Sequence, residues 1–308
     1  MPELTVASAR QALAEVGLDA DVTRAAALVG GVSNLTYRLD RESTPPVVLR
    51  VQREHGIFEP YDVVREARVI EALAQTNVPV PEVLGMARAS EALGAPFFVM
   101  EFVDAPHMGE VPRTEQVTAS YVAAVASIHA VSWQEAGLGF LDPPAAGVET
   151  SQRDLVTVND RARRYGHDGD PFIAELGLWL ANHQAETHDL VLCQGDINVF
   201  NYLFRDEQVV AVVDWEQAQI GDRQSDLGLL CALTYFLGAQ GHPADLPIMA
   251  DYRALTGEAL PALPYFVLVG LHKLAVIHRI WSTEGDSPPW YGWGAVVEVA
   301  ARMRSIAE

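Results

Sequence analysis

The apolar pattern of this chain separates an N-terminal region of short strand-like runs from a longer, mainly helical remainder. Residues 25–51 run in short segments rich in Val, Leu, Thr and Tyr, strand-like runs recur at 83–87 and 96–103, and beyond that point strand signals almost stop while the long apolar segments repeat at helical spacing. A chain patterned this way is confined to an α+β architecture, a small N-terminal antiparallel sheet followed by a larger, mainly helical part. Strands are expected at 26–29, 35–39, 47–51, 83–87 and 96–103, with a turn at 30–34 and a polar hairpin at 40–46. An initial helix is expected at 7–16. A second, at 61–74, aligns Val64, Ala67, Ile70, Ala72 and Leu73 on one face, crosses the sheet and is stopped by Pro79 and Pro81. Helices follow at 113–133, 152–165 and 171–188, then short strands at 190–193, 202–204 and 209–213, and helix again after Gly221. The division falls between residues 1–103 and 104–308, with the join near 101–109.

Charge narrows the function classes. Lys and Arg number 21 against 41 Asp and Glu, a net charge of −20, and such a field repels nucleic-acid backbones and anionic lipid surfaces. Neither a nucleic acid nor a membrane is expected as partner, and the sequence leaves the oligomeric state open. Cys193 and Cys231 lack disulfide or zinc-ligand spacing and read as small buried hydrophobes. Residues 1–29 carry no export pattern, so the expected compartment is the cytoplasm. The apolar run 265–271 ends at His272 and Lys273, well short of a bilayer span, and reads as a buried helix. Lys273 is the only lysine in the chain.

The densest polar constellation is Cys193-Gln194-Gly195-Asp196-Ile197-Asn198-Val199-Phe200-Asn201, followed by an apolar run and Asp214-Trp215-Glu216. Asp196, Asn201 and Asp214 stand at two strand ends, where an acidic group is expensive to bury unless a cation or donor compensates it. Taken singly, Asp196 and Asp214 are also ordinary turn residues. Together they carry the pattern of phosphoryl transfer: one carboxylate accepts the proton of an attacking hydroxyl, an Asn five residues on holds magnesium, and an Asp at the next strand end bridges metal and phosphates. Gly30-Gly31 with Ser33 can cover phosphates through backbone N–H groups, or form a plain hairpin. No Gly-x-Gly-x-x-Gly spacing is present.

These residues resemble the aminoglycoside phosphotransferase family of small-molecule kinases, and most closely its branch of kinase domains fused to acyl-CoA dehydrogenases. The resemblance rests on Gly30-Gly31-Val32-Ser33-Asn34-Leu35-Thr36-Tyr37-Arg38, Val48-Leu49-Arg50, Asp196 with Asn201, Asp214-Trp215-Glu216, Gly221-Asp222 and Asp226-Leu227-Gly228. It implies a protein-kinase-like two-lobe fold, with a nucleotide-binding lobe at 1–103 and a catalytic and substrate-binding lobe at 104–308. It implies an ATP- and Mg2+-dependent kinase, with GTP as the alternative nucleotide, that transfers the γ-phosphoryl group to a small-molecule hydroxyl.

Asp196 is then the catalytic base, and Asn201 and Asp214 hold the metal. Gly31, Ser33, Asn34, Arg50, Glu66, Glu101 and Val103 bind the nucleotide, the last pair through backbone groups on adenine. Arg50 replaces the phosphate-gripping lysine of protein kinases, as is usual in this branch, and Glu66 is its partner; a solvated surface pair is the other reading.

Gln194 departs from the family's histidine, which puts the geometry of the loop in doubt. Asp226 either braces that loop or caps the following helix, and Glu216 either tunes the metal site or faces solvent. His129 reads as a packing residue. Arg153, Arg161, Arg163 and Arg164 face an anionic acceptor or water. A nucleotide-binding pseudokinase, serving as a regulatory or interaction module, is the alternative; retention of all three metal-site residues argues against it.

Overall fold

Thr5 starts the first helix, α1 (Val6–Glu15), by accepting the Ser8 N–H on its hydroxyl while the Ser8 side chain answers to the Thr5 backbone. The strands that follow are β1 (Val22–Ala27), β2 (Leu35–Arg41) and β3 (Val47–Val51); after helix α2 (Val63–Leu73) come β4 (Val83–Ala87) and β5 (Phe97–Glu101). They form one antiparallel sheet in the order β1-β2-β3-β5-β4.

In β3, Val47, Leu49 and Val51 pack with Phe97 and Val99 of β5 against Ala9, Ala12 and Leu13 of α1. Strand alternation therefore turns Val48 and Arg50 to the other face. On that side α2 packs on β4 and β5 and buries Val64, Ala67 and Ile70. The expected strand at 26–29 begins earlier, because Val22 to Ala27 pair with Arg41 to Tyr37; exposed Thr23 and Arg24 hide that pairing from an apolar count.

The computed structural model describes residues 4–28, 33–145, 147–187, 189–284 and 289–307. The expected turn at 30–34 thus lies mostly outside the described residues. The chain divides into two compact units, Met1–Val111 with Phe200–Glu216, and Pro112–Val199 with Gln217–Glu308.

The second unit contains α3 (Glu115–His129), α4 (Glu149–Arg164), α5 (Pro171–Asn182) and the short strand β6 (Val191–Cys193). The chain then returns to the first unit as a hairpin, β7 (Tyr202–Arg205) with β8 (Gln208–Val212). Back in the second unit, β9 (Gln219–Gly221) pairs with β6, and α6 (Arg223–Phe236), α7 (Pro247–Thr256), α8 (Leu263–Glu284) and α9 (Trp293–Ala307) complete it.

The helix expected at 171–188 stops at Asn182, since only Ala185 is apolar in residues 183–187. Residues Leu263–Thr283 of α8 are long and apolar enough to cross a membrane, but most of that segment is buried inside the protein, as a core helix is.

Candidate active site

In the first unit the site is built around Arg50, which β3 places on the face away from the α1 core. Its Nε donates to Glu66 Oε2 on α2 at 2.8 Å, and its Nη2 donates to Asp214 Oδ1 at 2.8 Å and Glu216 Oε2 at 3.1 Å. Nη1 donates to Thr36 Oγ1 at 3.2 Å, which follows from the β2/β3 register, where Thr36 stands opposite Arg50.

Arg50 is 6% exposed and Glu66 1%, so the solvated surface pair is not what forms; β3 and α2 enclose both side chains. Burial works against the Arg50 charge, but Glu66, then Asp214 and Glu216, outweigh it and raise its pKa. Burial raises the pKa of Glu66 against the pull of Arg50, and raises that of Glu216 with help from Asp214. Three carboxylates share one guanidinium here. With Arg65 of α2 also acting on Glu66 and donating to the Glu216 carbonyl at 3.2 Å, the three carboxylates still outnumber the guanidiniums, and their oxygens make a donor set that suits Mg2+.

Asn201 and Asp214 flank the two open ends of the β7/β8 hairpin, so strand pairing brings their backbones together: the Val213 N–H donates to the Asn201 carbonyl at 2.9 Å. Asn201 is buried. Asp214 adopts a left-handed backbone, φ 62°, which Asp tolerates better than most residues. Next to it, Trp215 anchors the turn in the core and donates Nε1–H to the Val212 carbonyl at 3.0 Å.

Ser33 and Asn34 are buried and engage Glu216: the Asn34 amide donates to Oε2 at 3.0 Å, and the Ser33 hydroxyl bonds the same carboxylate. Asn34 also accepts the Arg53 N–H at 3.1 Å. Gly31 lies outside the described residues. Glu101 closes β5 opposite Val47, its N–H donating to the Glu82 carbonyl at 2.8 Å, and the Val103 carbonyl accepts the Ala105 N–H at 3.0 Å.

Asp196 belongs to the second unit, on the loop after β6. That loop is clamped by Asp226 of α6, whose carboxylate accepts the N–H groups of Gln194 at 2.8 Å and Gly195 at 2.9 Å. The cap of α6 is Asp222, so the bracing role of Asp226 is the one the structure bears out, with donors from the loop rather than from the helix. His129 is satisfied within the core, Nε2 to Asp226 at 3.3 Å and Nδ1 to the Tyr252 hydroxyl at 2.9 Å.

His129, Cys193 and Asp226 stand close enough to share a metal ion, but burial holds the Cys193 thiol well above its usual range, and a protonated thiol is a poor ligand. Of the arginines on α4, Arg163 pairs with Asp160 and Arg153 with Glu149 at the surface, whereas Arg161 is buried.

Several residues join these clusters through the fold, with partners that no sequence spacing gives. Thr36 is found only through strand register. Lys273 donates to the Gly195 carbonyl at 2.7 Å, and Tyr121 to the Ile197 carbonyl at 2.7 Å, from helices distant in sequence. Glu216, two residues past Asp214, was detectable as an acidic neighbour but not as a buried one.

Residues 24–262 match the model of the phosphotransferase enzyme family. The chain belongs to this family. Acyl-CoA dehydrogenase family member 10 of Mus musculus is 30% identical over 234 residues, covering 72% of this chain and 21% of that protein. The chain thus spans about a fifth of that relative's length.

Among solved structures, a macrolide 2'-phosphotransferase type I superposes with a TM-score of 0.64 at 18% identity, covering 98% of this chain and 99% of that one. A ternary complex of the aminoglycoside phosphotransferase APH(4)-Ia with AMP-PNP and hygromycin B gives 0.63 at 16% identity, with 98% of each chain covered. These likenesses show the kinase-like fold that the sequence implied, an antiparallel sheet in the N-terminal part and helices after it. The acyl-CoA dehydrogenase-linked members of the family are indeed among the chain's relatives.

Proposed function

We propose that this phosphotransferase-family protein is a Mg2+-dependent kinase that transfers the γ-phosphoryl group of ATP, or GTP, to a hydroxyl of a small molecule. The observation that supports it most is the Arg50 cluster, in which one buried guanidinium faces three carboxylates, one of them Asp214 at the hairpin end beside Asn201.

Asn201 and Asp214 would hold Mg2+, which supplies charge neutralisation on the phosphates. Arg50, steadied by Glu66, offers a guanidinium to the α- and β-phosphates, and Gly31, Ser33 and Asn34 belong to the segment over the phosphates. The backbone at Glu101 and Val103 receives adenine. Asp196 accepts the acceptor's proton as its oxygen bonds to the γ-phosphorus and the bond to the β–γ bridging oxygen breaks, releasing ADP. In this division of labour residues 1–103 bind nucleotide and residues 104–308 carry the base and the acceptor site. The reaction belongs in the cytoplasm, where nucleoside triphosphate and Mg2+ are supplied.

The test is an ADP-release screen over aminoglycosides, macrolides, choline-like amines, sugars and hydroxyacyl-CoA esters. With an acceptor in hand, Asp196→Asn is expected to abolish turnover while nucleotide binding persists, and Asp214→Ala to weaken Mg-ATP binding in calorimetry. Full turnover in Asp196→Asn removes the assignment. Mg-ATP binding without ADP from any acceptor favours a pseudokinase module, the reading that Gln194 motivates.

A further inference from the structure

Asp196 is held from both sides. The peptide that enters it has its carbonyl, on Gly195, bonded by Lys273 Nζ of α8 at 2.7 Å. The carbonyl of Ile197, which follows it, takes the Tyr121 hydroxyl of α3 at 2.7 Å. Asp226 fixes the two preceding N–H groups. Gly195 itself has φ 79°, and a Cβ there would lie 2.2 Å from the Gln217 carbonyl oxygen, so the chain has one route into Asp196 and only glycine follows it.

Of these clamps Lys273 is the one whose chemistry exceeds what holding a carbonyl requires. A neutral donor would do that without the desolvation that an ammonium suffers on burial. Burial lowers the Lys273 pKa, and the strongest opposing influence is the Asp196 carboxylate, ahead of Asp226 and Asp154, while Arg161 adds to the lowering. The only lysine of the chain thus sits on the carbonyl that precedes the residue read as the base, near enough for that carboxylate to act on its charge.

We propose that Lys273 is a positioning residue for phosphoryl transfer: it holds the Gly195 carbonyl and sets a positive charge against the Asp196 carboxylate, fixing where the base points. This rests on the kinase reading of Asp196. The charge matters because a carboxylate that accepts a proton from a hydroxyl must stay ionised and aimed until the acceptor arrives, and a small misplacement of a catalytic group costs about 100-fold in rate.

Lys273→Met keeps the bulk of the stem and removes the charge. It is expected to lower kcat by about 100-fold with KM for ATP unchanged, beyond any fall in melting temperature that follows from leaving the Gly195 carbonyl without its donor and the nearby carboxylates without their cation. A purely structural lysine would show a lower melting temperature with kcat retained below that temperature, and that result overturns the proposal.

A second measurement needs neither turnover nor a stable variant at position 273. In protein labelled selectively with 13C-lysine, all side-chain Cε–Hε signal comes from Lys273, and Asp196→Asn is expected to shift it. An unmoved resonance overturns the proposal. If the parent releases no ADP with any acceptor, the kinase reading fails, and the resonance still decides whether Lys273 and Asp196 are coupled.

Discussion

Glu66 and Glu216 share a guanidinium with Asp214, and burial pushes their pKa values up to about 7 and about 8. A carboxyl raised in this way binds a proton in the folded state that the unfolded chain has already released, so its contribution is complete below the unfolded value and is lost as pH rises through the folded one. His272, whose pKa burial lowers to about 4, acts in the opposite sense, but most of its cost is relieved by the time pH reaches the ordinary histidine value near 6.5, at the foot of this window. Without metal the protein is therefore expected to melt at a lower temperature at about pH 8.5 than at about pH 6.5. Glu216→Gln should flatten that slope, and Mg2+ should stabilise more at the higher pH, where protons no longer compete for the oxygens. Thermal melts in chelator and in Mg2+ across this range decide it; an unchanged slope in Glu216→Gln would refute the charge account. The sequence displayed Asp214 and Glu216 as neighbours, but that both turn to one arginine 164 and 166 residues away is a property of the fold.

At the scale of elements, the reach of sequence reasoning follows the strength of the local pattern. β3 and β4 match their expected bounds because short, mostly apolar runs bounded by polar residues or proline leave little choice, even with Arg50 inside β3 and Gly85 inside β4. β9 has three residues and was not expected, since so short a strand exists only through its pairing with β6. The block at Asp226-Leu227-Gly228 was visible, but its geometric reason was not. Gly228 lets α6 lie against the backbone of α8: a Cβ there would come within 2.4 Å of the Phe266 carbonyl group, and backbone atoms cannot yield as a side-chain tip can. Gly228→Ala is expected to cost about 2 kcal/mol or more, by overpacking the helix pair. It should also slow turnover, because Asp226, two residues earlier on the same helix, carries the loop of Asp196. Urea unfolding followed beside kcat tests both effects, and a variant as stable as the parent would show that the helices separate freely.

The molecule as a whole is not divided where its chain divides. The first unit takes residues 200–216 from the far side of residues 112–199 of the second, and that return segment is structural as well as chemical. Its Val212 N–H donates to the Pro79 carbonyl at 2.8 Å, its Phe204 N–H to the Pro106 carbonyl at 2.8 Å, and its Tyr202 carbonyl accepts the Met108 N–H at 3.0 Å. It also brings Asp214 and Glu216 to Arg50. Removing it leaves these backbone groups without their partners and reduces the acidic company of a buried guanidinium from three carboxylates to one, Glu66. A fragment of residues 1–111 is accordingly expected to lack a cooperative thermal transition. The same fragment joined through a Gly/Ser linker to residues 200–216 should regain one, and Asp214→Ala with Glu216→Ala in the joined form should lose part of the gain. Circular dichroism melts of the three proteins make the comparison. A cooperative transition in 1–111 alone would mean that the sheet and its two helices suffice, and that the return segment serves the site without supporting the fold.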